Sequence, residues 1–207
     1  MPTSHITPGP SGIELPEVFG DFAAMQPPFR GQIWELCADA PMETGHDNKG
    51  QPFDIRTACY LREPLMAMRD PAVRKVVIKG GVKTVKTFIC EEACAYQVVT
   101  GSGDVGFYMS DAEMVKDHAT GRMGRFLRSV PAISKMIETI GSRHDDNTNE
   151  IYFPGKVLRM WPANYSSTQN VNLETVIVCD AHCIGKTGLI DQIIQRTSQY
   201  VHTRKIR

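Results

Sequence analysis

The chain has 207 residues, 42% hydrophobic and 22% charged, with Lys+Arg and Asp+Glu equal at 23 each. This is the composition of a globular chain long enough for one large domain. A formal net charge of zero excludes a global basic field of the kind that draws a whole protein onto nucleic acid. The apolar runs are too short for a membrane span or a signal-peptide core, so an intracellular, soluble protein with no membrane partner is expected.

Residues 1–30 are proline-rich and lack periodicity, and are expected to be extended or disordered. From residue 31 to 207 the chain reads as one domain. A short helix is expected within 29–40, around Ile33, Trp34 and Leu36, and a second over 63–69 with Pro64 in its first turn. Val76, Val77 and Ile78 read as a buried strand over 75–78, and the segment 88–99 as a helix. After a glycine turn at 101–104, a strand is expected over 105–109. Ser110 with Glu113 three residues on gives a capping box for a helix running toward Leu127, weakened at Gly121 and Gly124. Pro131 breaks it, and 132–140 is a further helix. A hairpin turns at Pro154-Gly155 between 150–153 and 156–161, and 163–172 is a polar loop. The most hydrophobic strand, 175–179, ends at Asp180. A helix over 188–200 and the start of a strand within 201–206 complete the order. Strands alternating with helices predict an α/β fold with a mostly parallel central sheet flanked by helices.

The segment from Val76 to Phe88 joins a strand to a helix through Gly80, Gly81, Lys83, Thr84, Val85, Lys86 and Thr87. Strand, glycine loop, Lys-Thr, helix is the layout of a phosphate-binding P-loop, G-x-x-x-x-G-K-[ST]. In such a loop backbone N–H groups hold phosphates, the Lys reaches the β/γ oxygens and the Thr takes Mg²⁺. Gly80 fills the first slot and Lys86-Thr87 the last two. Val85 stands where the second glycine belongs, and a β-branched residue resists the dihedrals that glycine takes there. The competing reading is a plain basic strand-to-helix turn. The strand ending in Asp180 has the form of the partner strand whose carboxylate holds Mg²⁺, against the plain reading of a strand that ends in Asp at a turn. Ala181 stands where many ATPases carry the Glu that orients water. Gly185-Lys186-Thr187 is a second Gly-Lys-Thr, but its first glycine slot is Asp180, which would repel phosphate.

The remaining polar residues read more simply. Cys37, Cys59, Cys90, Cys94, Cys179 and Cys183 include two pairs with three-residue spacers, a poor fit to zinc knuckles, so free thiols are expected. His182 beside Asp180 could serve as acid or base but reads as a turn histidine. Asp145, Asp146 and Glu150 read as a polar turn rather than a calcium loop. Lys116, Arg122, Arg125 and Arg128 could touch DNA phosphate, with a solvated basic face as the default.

Several segments in order carry a resemblance. They are Tyr60-Leu61-Arg62-Glu63-Pro64, the run from Asp70-Pro71 to Val77, and Phe107 to Glu113. Gly124 to Pro131, Gly155 to Met160 with Ala163-Asn164-Tyr165-Ser166, and Val176 to Asp180 follow. The ordered set, spanning roughly 30–207, resembles the N-terminal ATPase part of phage large terminase subunits of the lambda type, which package DNA. The resemblance implies ATP and Mg²⁺ as cofactors, with Lys86 on the phosphates, Thr87 and Asp180 on the metal, and Lys83 in the loop. It implies Tyr60 and Arg62 near the nucleotide base. It also implies double-stranded viral DNA, a portal and a small terminase subunit as partners, a homo-oligomer when full length, and the host cytoplasm as the place of action. The C-terminal nuclease domain of that family has no counterpart here, so the domain is expected to be incomplete. Val85 and Ala181 depart from the family pattern. They keep open a nucleotide-binding module without turnover, alongside a helicase-like P-loop protein.

Overall fold

The computed structural model describes residues 29–41, 50–82, 84–140, 149–185, 188–200 and 205–206. The helices are α1 (Ile33–Leu36), α2 (Arg62–Arg69), α3 (Lys86–Thr100), α4 (Ala112–His118), α5 (Gly124–Ser129), α6 (Pro131–Ile140) and α7 (Leu189–Gln195). The strands are β1 (Val105–Met109), β2 (Glu150–Phe153), β3 (Lys156–Pro162), β4 (Thr175–Val178) and β5 (Lys205–Ile206). The sheet order is β2-β3-β1-β4-β5. β1 runs parallel to both β3 and β4, with Val105 opposite Leu158 on one side and Thr175 on the other. β4 and β5 are parallel, and only β2, folded back on β3 through Gly155 (φ 74°), is antiparallel.

β1 is buried at all five positions, as a central parallel strand covered on both faces must be. Its side chains alternate between two cores. Val105, Phe107 and Met109 join Phe88, Ile89, Leu127 and Ile177 in the core under α3. Tyr108 joins Val176, Leu189 and Ile193 in the core under α7. Phe88 packs between Phe53 and Phe126, with ring centroids 5.1 and 5.7 Å away. This fixes the start of α3 against the rest of the domain.

Three expectations are corrected. Residues 76–78 form no strand of this sheet. The neighbours of β4 are β1 and β5. Val76 and Ile78 do pack on the core while Val77 is 77% exposed. The unbroken apolar run reads as a buried strand in the sequence, whereas in the structure only Lys75 of the expected segment makes a β-bridge. The cap of α4 is Asp111, whose Oδ1 accepts from Met114 N at 2.8 Å. Ser110 instead donates to the Asp111 carboxylate at 3.0 Å. Between α4 and α5 the chain widens into a π-helical turn, Ala119–Met123, so the expected glycine weakening becomes a local change of pitch. The remaining ranges agree with the sequence reading to within a few residues, the short α7 apart. The expected extended segment before residue 29 and the Asp145-Asp146 turn lie outside the described residues.

Glu174, next to the start of β4, is 2% exposed. Its carboxylate accepts from Ser102 N at 2.7 Å and Gly103 N at 2.6 Å, tying down the turn between α3 and β1. Glu92 on α3 is different. It is fully buried, and among the described residues neither carboxyl oxygen has a hydrogen-bond partner. Burial, and secondarily the charge of Glu91, push its carboxyl up to about 8. The folded state therefore holds a proton that the unfolded chain gives up near pH 4.3. The contribution of Glu92 to stability is fully present below that value and is lost as pH rises through 8, by at most about 1.4 kcal/mol per pH unit. His118 acts oppositely at lower pH. Burial, then Arg122, lower it to about 4, so its contribution is lost as pH falls from about 6.5. Urea unfolding between pH 6.5 and 8.5 should show wild type losing stability with a slope that Glu92→Leu largely removes; parallel slopes would contradict it.

Candidate nucleotide site

The sequence places a loop ahead of α3, and the fold aims that helix's N-terminus toward the carboxyl end of β4. Ile89 N donates to Val85 O at 3.1 Å, so the N–H groups of Lys86, Thr87 and Phe88 belong to the unpaired first turn. No acidic side chain lies in that turn. Val85, the N-cap, has φ 62° and ψ 17°. It occupies the left-handed region that its β-branched side chain resists, at a cost on the order of 1–2 kcal/mol. The dihedral that glycine supplies in the motif is thus adopted by valine.

The loop closes on its own lysine. Lys86 Nζ donates to Gly80 O at 3.2 Å and also to Gly81 O. Thr84 Oγ1 donates to Gly81 O at 2.8 Å. A Cβ on Gly80 would stand 2.8 Å from Thr84 Oγ1, so this position needs glycine for the loop to close this tightly. Thr87, one residue further on, reaches across the fold. Its Oγ1 lies 3.9 Å from Cys179 Sγ, which lies 3.7 Å from Asp180 Oδ2. Asp180 itself is half-buried and left-handed, at φ 50°. Thr87 and Asp180 are therefore neighbours in space, bridged by one thiol.

These residues fit a Mg²⁺–nucleoside triphosphate. The helix N-terminus and loop amides suit phosphate, Lys86 suits its charge, and the Thr87 hydroxyl with the Asp180 carboxylate supplies hard oxygen donors. The bound metal would neutralise phosphate charge. Ala181 opens a short 3₁₀ turn, Ala181–Cys183, and carries no base.

Other expected site residues fall elsewhere. Tyr60, 57% exposed, and Arg62, also exposed, lie on the turn entering α2, and among the described residues neither hydrogen-bonds to the loop. Lys83, Lys186 and Thr187 lie outside the described residues. His182 Nε2 sits 3.3 Å from Cys183 Sγ on the exposed turn. A cleft of about 230 Å³ opens beside the site at the carboxyl ends of β1 and β3, lined by Ser110, Asp111, Asn164 and Cys183 among others. Neither Lys86 nor Thr87 lines it. Arg122 is not on a solvated face. Its guanidinium binds Glu91, Nη2 to Oε2 at 2.8 Å and Nε to Oε1 at 2.5 Å, with His118 Nε2 3.4 Å from Oε1.

Sequence reasoning passed over Cys179 and Glu91. The signal for Glu91 was present as two adjacent carboxylates in an otherwise apolar helix. Cys179 carried no signal, because its importance comes from a contact 92 residues away.

The sheet, the helix-capping loop and the carboxylate at the adjoining strand end define a P-loop NTPase-like fold. The family model for the phage terminase large subunit gpA, ATPase domain, matches residues 48–182, and the chain belongs to that family. Membership assigns it a packaging-motor ATPase role in general terms, with nucleotide as its ligand class and DNA and packaging proteins as its partners. No curated protein matches the chain. No helix among the described residues is long and apolar enough to cross a membrane.

Proposed function

We propose that this chain is the ATPase part of a viral terminase large subunit, and that ATP·Mg²⁺ binds between the loop 80–87 and Asp180. Lys86 pairs with the phosphates, and Thr87 and Asp180 hold the metal. Hydrolysis in the assembled motor drives double-stranded viral DNA into the procapsid in the host cytoplasm, alongside portal, small subunit and further copies of the chain. The observation that carries this reading is the approach of Thr87 to Asp180 through Cys179 at 3.9 and 3.7 Å. A carboxylate and a hydroxyl from distant segments meet at one helix N-terminus, as metal–phosphate chemistry requires. One observation favours a second reading, binding without turnover: the residue after Asp180 is Ala181, which can neither orient nor deprotonate water.

Titration calorimetry with ATP·Mg²⁺ tests the site. Lys86→Ala removes a charge-assisted contact of about 1.5–3 kcal/mol, so affinity should fall roughly 10- to 150-fold. Equal affinity of the two proteins would move the nucleotide away from this loop.

A further inference from the structure

We propose that Asp111, at the end of β1, orients the attacking water in a slow hydrolysis of ATP, standing in from the neighbouring strand for the acidic residue that Ala181 replaces. This deepens the nucleotide-site reading above and rests on it.

β1 and β4 are parallel neighbours, paired from Val105 opposite Thr175 to Tyr108 opposite Val178. The pairing runs one step further, with Cys179 N donating to Tyr108 O at 2.9 Å. Continued in the same register, Ser110 comes level with Asp180, and Asp111 level with Ala181. Asp111 is still extended, at φ -144° and ψ 168°, so the chain keeps the course of β1 up to that residue. The proposed metal carboxylate and a second carboxylate therefore end adjacent strands, whose spacing is about 4.8 Å. The cleft of about 230 Å³ opens at this point, with Asp111 on one wall and Cys183, Ile184 and Gly185 on another. That volume accommodates several waters. Among the described residues Asp111 is the only carboxylate lining it, and Lys86 and Thr87 stay outside. The carboxyl ends of parallel strands are where open α/β sheets hold their ligands.

The Asp111 side chain is held in place. Its Oδ1 accepts from Met114 N at 2.8 Å and its Oδ2 from Ser110 Oγ at 3.0 Å. A carboxylate oxygen has two acceptor sites, and Asp111 is exposed, so a water in the cleft can still donate to it. In the step, the water oxygen bonds to the γ-phosphorus. The bond from that phosphorus to the β,γ-bridging oxygen breaks, and its electron pair leaves on ADP. The water proton passes by way of Asp111 to solvent. ATP and water become ADP, inorganic phosphate and one proton. Turnover by this route is slow. Aspartate is one methylene shorter than glutamate, and the two hydrogen bonds stabilise the carboxylate and weaken it as a base.

The test uses the full chain, Asp111→Asn, and Asp111→Asn combined with Ala181→Glu. Asp111 also caps α4, and asparagine caps a helix as well as aspartate does. A merely structural role is therefore preserved in Asp111→Asn. Urea unfolding and ATP·Mg²⁺ calorimetry should give the same stability and affinity for this variant as for the unmodified chain. Single-turnover hydrolysis of γ-labelled ATP should be slow but measurable in the unmodified chain and fall about a hundredfold in Asp111→Asn. The double variant should regain turnover, because a carboxylate is returned to the water. Four results would each overturn the proposal: no turnover by the unmodified chain above the uncatalysed rate, equal rates with and without Asp111, a rate loss matched by a loss of affinity, or no regain in the double variant. If the unmodified chain binds no ATP, the nucleotide-site reading fails as well. Intact binding with a rate indifferent to Asp111 removes this proposal alone.

Discussion

Arg122→Ala is expected to cost about 3–5 kcal/mol of folding stability, far more than a surface arginine. Glu91 is 1% exposed, and Arg122 binds both of its oxygens. Removing the guanidinium strands a carboxylate in the core of α3. His118, the remaining partner, is held neutral, its pKa lowered by burial and then by Arg122's own charge. Without Arg122 that second cause vanishes, so His118 protonates more readily and the deficit should shrink as pH falls from 8 toward 5. Arg122→Lys keeps the charge but loses the two-pronged geometry, and should lie between. Denaturant unfolding of the three proteins at two pH values gives the numbers. A loss under about 1 kcal/mol would assign this pair the small worth of exposed ion pairs. The pair also ties α3, whose first turn bears Lys86 and Thr87, to the π-helical turn.

The largest expected effect on activity is a gain. The isolated chain should release phosphate from ATP very slowly or not at all, because nothing at position 181 orients water. Ala181→Glu places a carboxylate next to Asp180 and should raise turnover. Adding Val85→Gly should raise it further. Glycine relaxes a left-handed N-cap at φ 62° that now stores roughly 1–2 kcal/mol. Phosphate release from the three proteins under one salt and Mg²⁺ condition checks this. Brisk turnover by the unmodified chain, unchanged by Asp180→Ala, would contradict the role given to the second strand.

What the sequence disclosed follows from how local each feature is. β1 and β4 were legible because strands buried on both faces read as unbroken apolar runs. The 150–162 hairpin was legible through Pro154-Gly155, and α3 through its length. Lys86, Thr87 and Asp180 were legible as motif positions. Residues 76–78 misled because a short apolar run is common to buried sheet strands and to extended segments lying on a core. Ladder partners are a tertiary fact. The left-handed Val85 ran against its own propensity, so no local rule could announce it. Glu91 with Arg122, and Cys179 with Thr87, are separated by 31 and 92 residues. Only the fold brings them together.

The central claim is that Thr87 and Asp180 act on one ligand through one metal. A double-mutant cycle on ATP affinity, run with and without Mg²⁺, tests it most directly. Thr87→Ala and Asp180→Ala should each weaken Mg²⁺-dependent binding. The double variant should lose little more than the stronger single one, and without Mg²⁺ all four proteins should bind alike. Losses that simply add, and that persist in the absence of Mg²⁺, would contradict a shared metal site.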